Sequence, residues 1–269
     1  SRTDSEFSPR LGFVLKPLEN ISVYGSFSES FLPRSGEQFA DLPDDPNTPE
    51  DDTLEPNTFQ NLEVGVKWDF ADGLSFTAAL FEIEQSSPQQ APAIIDPDTG
   101  IIIDDNAGTA VVVDSEIHGF EAQLQGQITD WWYVSLGYSY LEGDQVATAD
   151  VFNDAGELIL EQGDENGLRL RELPEHTFNI WNNFRITPKL GFGIGLTYQD
   201  DSFADTSNNV TLPSFVRVDA AAYYNISDDI RLQVNIENIT DIDYFPNAHS
   251  ANNITVGAPI NAKFSIVGR

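Results

Sequence analysis

Ile230 to Ile239 reads I-R-L-Q-V-N-I-E-N-I. Apolar side chains at Ile230, Leu232, Val234 and Ile236 alternate with Arg231, Gln233, Asn235 and Glu237. A helix would spread the four apolar residues around its circumference. A strand gathers them on one face and puts the four polar residues on the other. A face that carries both an arginine and a glutamate is wet or internally paired. The turn-rich segment T-D-I-D-Y-F-P-N follows directly. The fold depends on which architecture needs a long strand that is apolar on one side and charged on the other, and on how often the chain repeats it.

The pattern recurs along the whole chain. Before this stretch, strands are expected at 215–226, 190–199, 175–186, 131–142, 116–128, 74–85, 57–70, 21–30 and 10–16, and after it at 258–269. At 57–70, Leu62, Val64, Val66 and Trp68 alternate with Asn61, Glu63, Gly65, Lys67 and Asp69. The strand at 190–199 sets Leu190, Phe192, Ile194, Leu196 and Tyr198 against Gly191, Gly193, Gly195 and Thr197. The connections also alternate. Pro17–Asn20, Ala71–Gly73, Thr129–Asp130, Thr187–Lys189 and Ser227–Asp229 are tight turns rich in Pro, Gly, Asp and Asn. Residues 31–56, 86–113, 143–173, 200–213 and 240–257 are long connections without periodicity. Within the second of these, P-D-T-G at Pro97 to Gly100 suggests a small exposed hairpin.

Composition narrows the class. The chain has 269 residues, 13 Lys+Arg against 44 Asp+Glu, a net charge of -31 and a mean hydropathy of -0.27. No run of about 18 apolar residues could form a membrane helix. Barrel strands escape that test because their alternation averages out. The N-terminus lacks the basic and apolar regions of a signal peptide and there is no Met, so a processed, trimmed or partial chain is expected. With no cysteine, disulfide scaffolds, Cys-ligated zinc and thiol catalysis are excluded. The acidity argues against nucleic-acid binding. It fits divalent-cation binding, a cationic ligand or a salty environment, with solubility and salt tolerance the plainer reading.

About eleven strands of about ten residues are long for a soluble protein, whose strands usually run about 5–6 residues. Strands of about 9–11 residues, short turns on one side and long loops on the other, and alternating faces describe a transmembrane antiparallel up-and-down β-barrel. In this all-β reading the apolar face meets lipid, the polar face lines the lumen, and closure leaves no backbone group unpaired in hydrocarbon. Trp68, Phe70, Trp131, Trp132 and Tyr224 lie beside the tight turns, where an aromatic girdle would sit. Ordinary core packing is the other explanation for them. Bacterial single-chain barrels have an even number of strands, so eleven are expected to be the C-terminal part of a larger one.

Several segments, taken in order, resemble the TonB-dependent receptors, and among them the siderophore receptors. They are Ser8 to Pro33, N-L-E-V-G-V-K-W at Asn61 to Trp68, L-F-E-I-E at Leu80 to Glu84 and H-G-F-E-A-Q-L-Q-G at His118 to Gly126. L-P-E-H-T-F-N-I-W at Leu173 to Trp181, N-I-T-D-I-D-Y at Asn238 to Tyr244 and V-G-A-P-I-N-A-K-F-S-I at Val256 to Ile266 complete the set. The resemblance implies residues 1–269 as the C-terminal half of a 22-stranded barrel that closes around an N-terminal plug. It implies an outer-membrane receptor that captures a ferric siderophore and takes it up with energy passed through TonB to the plug. The plug, the TonB box and the usual terminal aromatic residue are outside this sequence.

The side chains add no chemical step. His118, His176 and His249 are far apart and lack metal-ligand spacing, and no nucleophile elbow or phosphate loop occurs. No catalytic residue, metal site or resident cofactor is therefore expected; iron arrives as the transported chelate. The densest acidic patch, Asp44, Asp45, Glu50, Asp51 and Asp52, departs from calcium-loop spacing and reads as a solvated face. Arg217, Asp219, Arg231, Glu237 and Lys263 fall on the lumen parity, either facing a plug or forming a generic wet wall. Phe31, Phe39, Phe203, Tyr244 and Phe245 fall in loops or at outer strand ends, as ligand contacts or as loop packing. The expected partners are the TonB complex, a ferric siderophore and outer-membrane lipid. Other readings are a TonB-dependent receptor for cobalamin, haem or a glycan, a passive channel, or a soluble β-sandwich adhesin.

Overall fold

A computed structural model describes residues 5–33, 56–90, 94–95, 102–104, 110–146, 151–152, 158–160 and 165–268. Eleven long strands make one sheet: β1 (Arg10–Leu18), β2 (Ile21–Leu32), β3 (Asn57–Ala71), β4 (Leu74–Gln90), β5 (Ala110–Thr129), β6 (Trp132–Val146), β7 (His176–Arg185), β8 (Leu190–Gln199), β9 (Phe215–Asn225), β10 (Ile230–Glu237) and β11 (Asn261–Gly268). Each pairs antiparallel with its neighbours in sequence, so the topology is an unbroken up-and-down meander. The short strand Glu165–Arg169 joins the same sheet beside the loop end of β6. No helix occurs among the described residues.

The meander follows from its turns. At the second, Gly73 takes φ +73°, a conformation that a side chain would oppose. The fourth and fifth share one geometry: the amides of Ile186 and Thr187 both donate to the carbonyl of Leu190, and those of Ile226 and Ser227 to that of Ile230. The hydroxyls of Thr187 and Ser227 accept amides two residues on and so replace missing ladder bonds.

Register turns the alternation into rows. One apolar row runs Leu18, Ile21, Trp68, Phe76, Leu124, Leu136, Ile180, Leu196, Val218, one residue from each of β1 to β9. It starts beside the first tight turn and ends near the loop end of β9, as expected for tilted, staggered strands. Beyond it lie the rows Leu190–Tyr224–Leu232–Ile266 and Phe192–Ala222–Val234–Phe264. Among the described residues, no second layer covers this face. Leu62, Leu80, Phe264 and Ile266 are each more than half exposed. A sandwich would pack a second sheet on residues like these, and none of the described strands does so.

Four of the five expected girdle residues, Trp68, Phe70, Trp131 and Trp132, make ring contacts at the turn end of this face. Trp131, Trp132, Phe184 and Phe192 stack in succession with ring centroids 4.9–6.5 Å apart, and Trp68 meets Phe70 at 5.2 Å. Asn182 interrupts the apolar alternation of β7; its side-chain oxygen accepts the Trp132 indole N–H at 3.0 Å.

On the polar face, rings lie over glycines. A Cβ on Gly65 would meet the Tyr24 ring at 2.5 Å, one on Gly119 the Phe81 ring at 2.1 Å, and ones on Gly193 and Gly195 the Trp181 ring at 2.5 and 2.3 Å. Depressions on this face are lined by residues of β2 to β9, including Lys67, Gln123, Asn179 and Asp219, so the polar side is concave.

Strand ends differ from the sequence expectation. Pro17 lies inside β1, where the register shifts between Leu15 and Leu18, and the turn is only Glu19–Asn20. β4 and β5 run to 17 and 20 residues because pairing continues through Q-S-S-P-Q-Q, which has no apolar alternation to reveal it. Pro88 is tolerated there because β3 has already ended opposite Ser86, leaving that side of β4 an edge. Ile94–Ile95 pairs with Ile102–Asp104, as a hairpin around Pro97 to Gly100 requires.

Candidate functional site

The long connections all leave the end of the sheet opposite the tight turns. Three of them meet there. In the connection after β8, Ser202–Phe203 pairs with Thr211–Leu212. In the one after β10, Asn247–Ser250 pairs with Asn253–Thr255. Ala204, Leu212 and Ala248 form a buried apolar cluster between the two, with Val210, Phe245 and Ile254 packed on it. The segment before β7 joins them. The Glu172 amide donates to the Phe203 carbonyl at 2.8 Å, and the Glu172 carboxylate accepts the Ala248 amide at 2.7 Å. Arg171 donates to the His249 carbonyl at 3.1 Å. Gln145, from the end of β6, donates to the carbonyls of Arg169 and Thr206. Three loops are thus cross-linked by backbone-directed hydrogen bonds around a small apolar core.

Asp205 organises the loop after β8. One carboxylate oxygen accepts the Ser207 hydroxyl at 2.6 Å and the amides of Ser207 and Asn209. The Ser207 hydroxyl bond above all, with the backbone amides behind it, holds this carboxyl below the usual carboxylate range against the opposing effect of burial. Its other oxygen is buried and has no hydrogen-bond partner among the described residues.

The base of the last loop is built by N-I-T-D-I-D-Y. Asn238 is fully buried, with φ +52°. Its side chain donates to the carbonyls of Ile242 at 2.8 Å and Ala258 at 3.1 Å, and accepts the Ile242 amide at 3.0 Å. Asp241 accepts the Ile260 amide at 2.9 Å. The Tyr244 ring packs on Phe215 at 4.8 Å, and a Cβ on Gly257 would meet it at 2.3 Å. The three side chains of the spacing Asn-x-x-Asp-x-x-Tyr therefore close both ends of the loop onto each other.

Arg217, Asp219, Arg231, Glu237 and Lys263 all occupy the polar parity of β9, β10 and β11. Arg217 and Asp219 form an ion pair at 2.9 Å, and Arg217 also donates to the Tyr244 hydroxyl at 3.1 Å. Arg231 donates to the Asn225 side chain at 3.0 Å near the turn end. Glu237 accepts Asn261 at 3.3 Å, across the strand pair.

The candidate ligand aromatics divide. Tyr244 is buried at 6% exposure, and Phe245 is partly buried in the loop core. Phe203 is half-buried, with the Arg169 guanidinium 5.9 Å from its ring centroid, while Arg169 also pairs with Glu175 at 3.8 Å. Phe31 is half-buried near the end of β2, opposite Thr58. Phe39 and the patch Asp44, Asp45, Glu50, Asp51 and Asp52 lie outside the described residues.

One grouping escaped sequence reasoning. On the outward face of β4 and β5, Glu82, Glu116 and His118 place ligand atoms within 4.8 Å of one another, with His118 2.9 Å from Glu116. Glu116 and His118 are two apart on one strand, but Glu82 arrives only through the cross-strand register, which linear spacing does not display.

Comparison with known proteins bears on the whole arrangement. A family model described as TonB dependent receptor-like, beta-barrel matches residues 1–239. The probable TonB-dependent siderophore receptor PiuA of Acinetobacter baumannii is 33% identical over 258 residues, which cover 95% of this chain and 33% of that protein. The ferripyoverdine receptor of Pseudomonas aeruginosa is 25% identical over 277 residues, 98% of this chain and 30% of its own length. The crystal structure of PiuA from A. baumannii superposes with a TM-score of 0.71 at 30% identity, covering 96% of this chain and 35% of that one. The chain thus spans about a third of the length of the curated relatives it matches.

Proposed function

Because this chain belongs to the TonB-dependent receptors, as part of their β-barrel, we propose that it supplies wall and outer loops to an outer-membrane receptor that takes up a ferric siderophore. The apolar face, with its aromatic ring beside the tight turns, meets lipid; the concave polar face surrounds the plug. TonB-transmitted energy acts on that plug, and the wall performs no chemical step. The observation that carries the reading is the cross-linked loop assembly at the open end of the sheet. Three loops tied to one another offer a preformed surface, and preformed surfaces bind ligand with less ordering cost. Phe203 and Phe31 retain accessible ring surface and are the proposed chelate contacts, whereas Tyr244 and Phe245 serve by holding the loops. The long connections carry 25 of the 44 acidic residues and three arginines, which favours a neutral or cationic chelate over an anionic one.

The test is growth under iron limitation on defined ferric chelates. A strain deleted for the full reading frame should lose growth on at least one chelate and regain it on complementation, and a protonophore should abolish the uptake. Unchanged growth on every chelate would refute the siderophore assignment and leave the fold untouched. Uptake that persists without inner-membrane energy would mark a passive channel.

A further inference from the structure

The five charged residues on the polar side of β9 to β11 are not equivalent. Both carboxylate oxygens of Asp219 are already engaged within the fold. One carboxylate oxygen takes the Arg217 Nε and Nη2 hydrogens at 3.1 and 2.9 Å, and the other takes the Asn238 backbone amide at 2.8 Å. Arg217 directs its remaining nitrogen to the Tyr244 hydroxyl, and its guanidinium sits 5.7 Å from the centre of that ring. The two side chains are 29% and 17% exposed. Each therefore bonds one end of the N-I-T-D-I-D-Y segment, Asp219 at Asn238 and Arg217 at Tyr244. Lys263, in contrast, has no hydrogen-bond or ion-pair partner among the described residues, and Glu237 accepts only Asn261.

We propose that Arg217 and Asp219 are positioning residues that latch the loop 238–260 in its ligand-receiving posture, and that Lys263 and Glu237 are the charges left for whatever fills the barrel. The ion pair faces inward, yet its work is directed outward: it fixes the loop whose hairpin carries Ala248 into the shared apolar cluster. Losing it frees the base of that loop and, through Ala248, slackens the neighbouring loop after β8. Ligand affinity falls and the barrel stays assembled.

This proposal rests on the receptor reading for one of its two tests and stands independently of it for the other. The full-length receptor containing this chain is prepared as wild type and as Arg217→Gln, Tyr244→Phe and Lys263→Gln. Retention of the heat-resistant, fast-migrating form on gels certifies each barrel. The first test, limited proteolysis without ligand, should cleave the Arg217→Gln protein within 238–260 at least tenfold faster than wild type. Tyr244→Phe, which removes one hydroxyl, should show a smaller increase, and Lys263→Gln none. The second test measures binding and uptake of radioiron complexes of a catecholate and of a hydroxamate chelator. Arg217→Gln should raise the dissociation constant about 10- to 100-fold, the scale of one or two lost charge-assisted hydrogen bonds, with the maximal uptake rate at saturating chelate preserved. Lys263→Gln should lower the maximal rate and leave affinity intact. If Arg217→Gln lowers the maximal rate without changing cleavage or affinity, the pair touches the plug and the latch is overturned. If wild type binds neither chelate, these two are not its ligands, growth on the wider set of chelates decides the receptor reading, and loop cleavage alone decides the latch.

Discussion

Replacing Asn238 with alanine isolates the energetics of the last loop. Its side chain is fully buried and makes three hydrogen bonds, all to backbone groups of its own loop. Alanine leaves the carbonyls of Ile242 and Ala258 and the amide of Ile242 without partners. At about 1–2 kcal/mol for each buried group left unpaired, the loss is roughly 3–6 kcal/mol. The backbone at φ +52° adds about 1 kcal/mol, because asparagine tolerates the left-handed region and alanine does not. All these partners lie within 238–260, so the cost should fall on opening of the loop and leave the sheet alone. Hydrogen exchange reads this directly. Amides of 238–260 that are protected in the wild type should lose about three to five decades of protection or all they have, at about 1.4 kcal/mol per decade. The ladders of β9, β10 and β11 should keep theirs. Asn238→Gly, which removes the backbone penalty and keeps the lost bonds, should be less damaging by about 1 kcal/mol. Protection of 238–260 within a factor of a few of wild type would refute the argument, as would loss of protection spread evenly through the sheet.

Three further substitutions test the wall and the loops. Gly195→Val puts methyl groups into the Trp181 ring and should lower the urea stability of the folded barrel by about 1–3 kcal/mol; adding Trp181→Ala should recover most of it, and no recovery would mean that the ring is not the obstacle. Asn182→Leu and Trp132→Phe should show a coupling of about 1 kcal/mol in a double-mutant cycle, since each removes one end of the same hydrogen bond, and strict additivity would deny that bond. Asp205 has a depressed folded-state pKa, so its contribution exists above the unfolded value of about 3.9 and disappears as pH falls through the lower folded value. Exchange protection of 200–214 should therefore be flat from neutral pH to about 5 and decline only below about 4, whereas Asp205→Asn should show no such decline.

Most of the sheet was legible because most of its long strands state their faces by alternation and most tight turns their position by composition. Ile230 to Glu237 is the clearest case: Leu232, Val234 and Ile236 fall into rows with β9 and β11, and its four polar residues face the other way. Legibility failed wherever a contact depends on register or on distance along the chain. Arg217 and Asp219 sit two apart on one strand and share a face on sight, but Tyr244, 27 residues on, meets them only through the fold. The loop core of Ala204, Leu212 and Ala248 consists of small or isolated apolar residues in turn-rich sequence. Such residues carry no period, so nothing distinguished them from solvated loop. The motif Asn238 to Tyr244 was visible as a resemblance; its physical meaning, closure of a loop base by three side chains, needed the structure.

The rings over Gly65, Gly119, Gly193 and Gly195 bear on the calibre of the passage that the full barrel encloses. An aromatic side chain standing off the wall would narrow that passage by several ångströms. In this sheet such rings instead lie in the hollow left by a missing Cβ, against the strand. Clearance is then a joint property of two adjacent strands: Tyr24 with Gly65, Phe81 with Gly119, Trp181 with Gly193 and Gly195. A change at either member alone either lifts a ring into the passage or opens a pit in its lining. Relatives whose barrels differ in calibre should therefore differ at these positions in pairs.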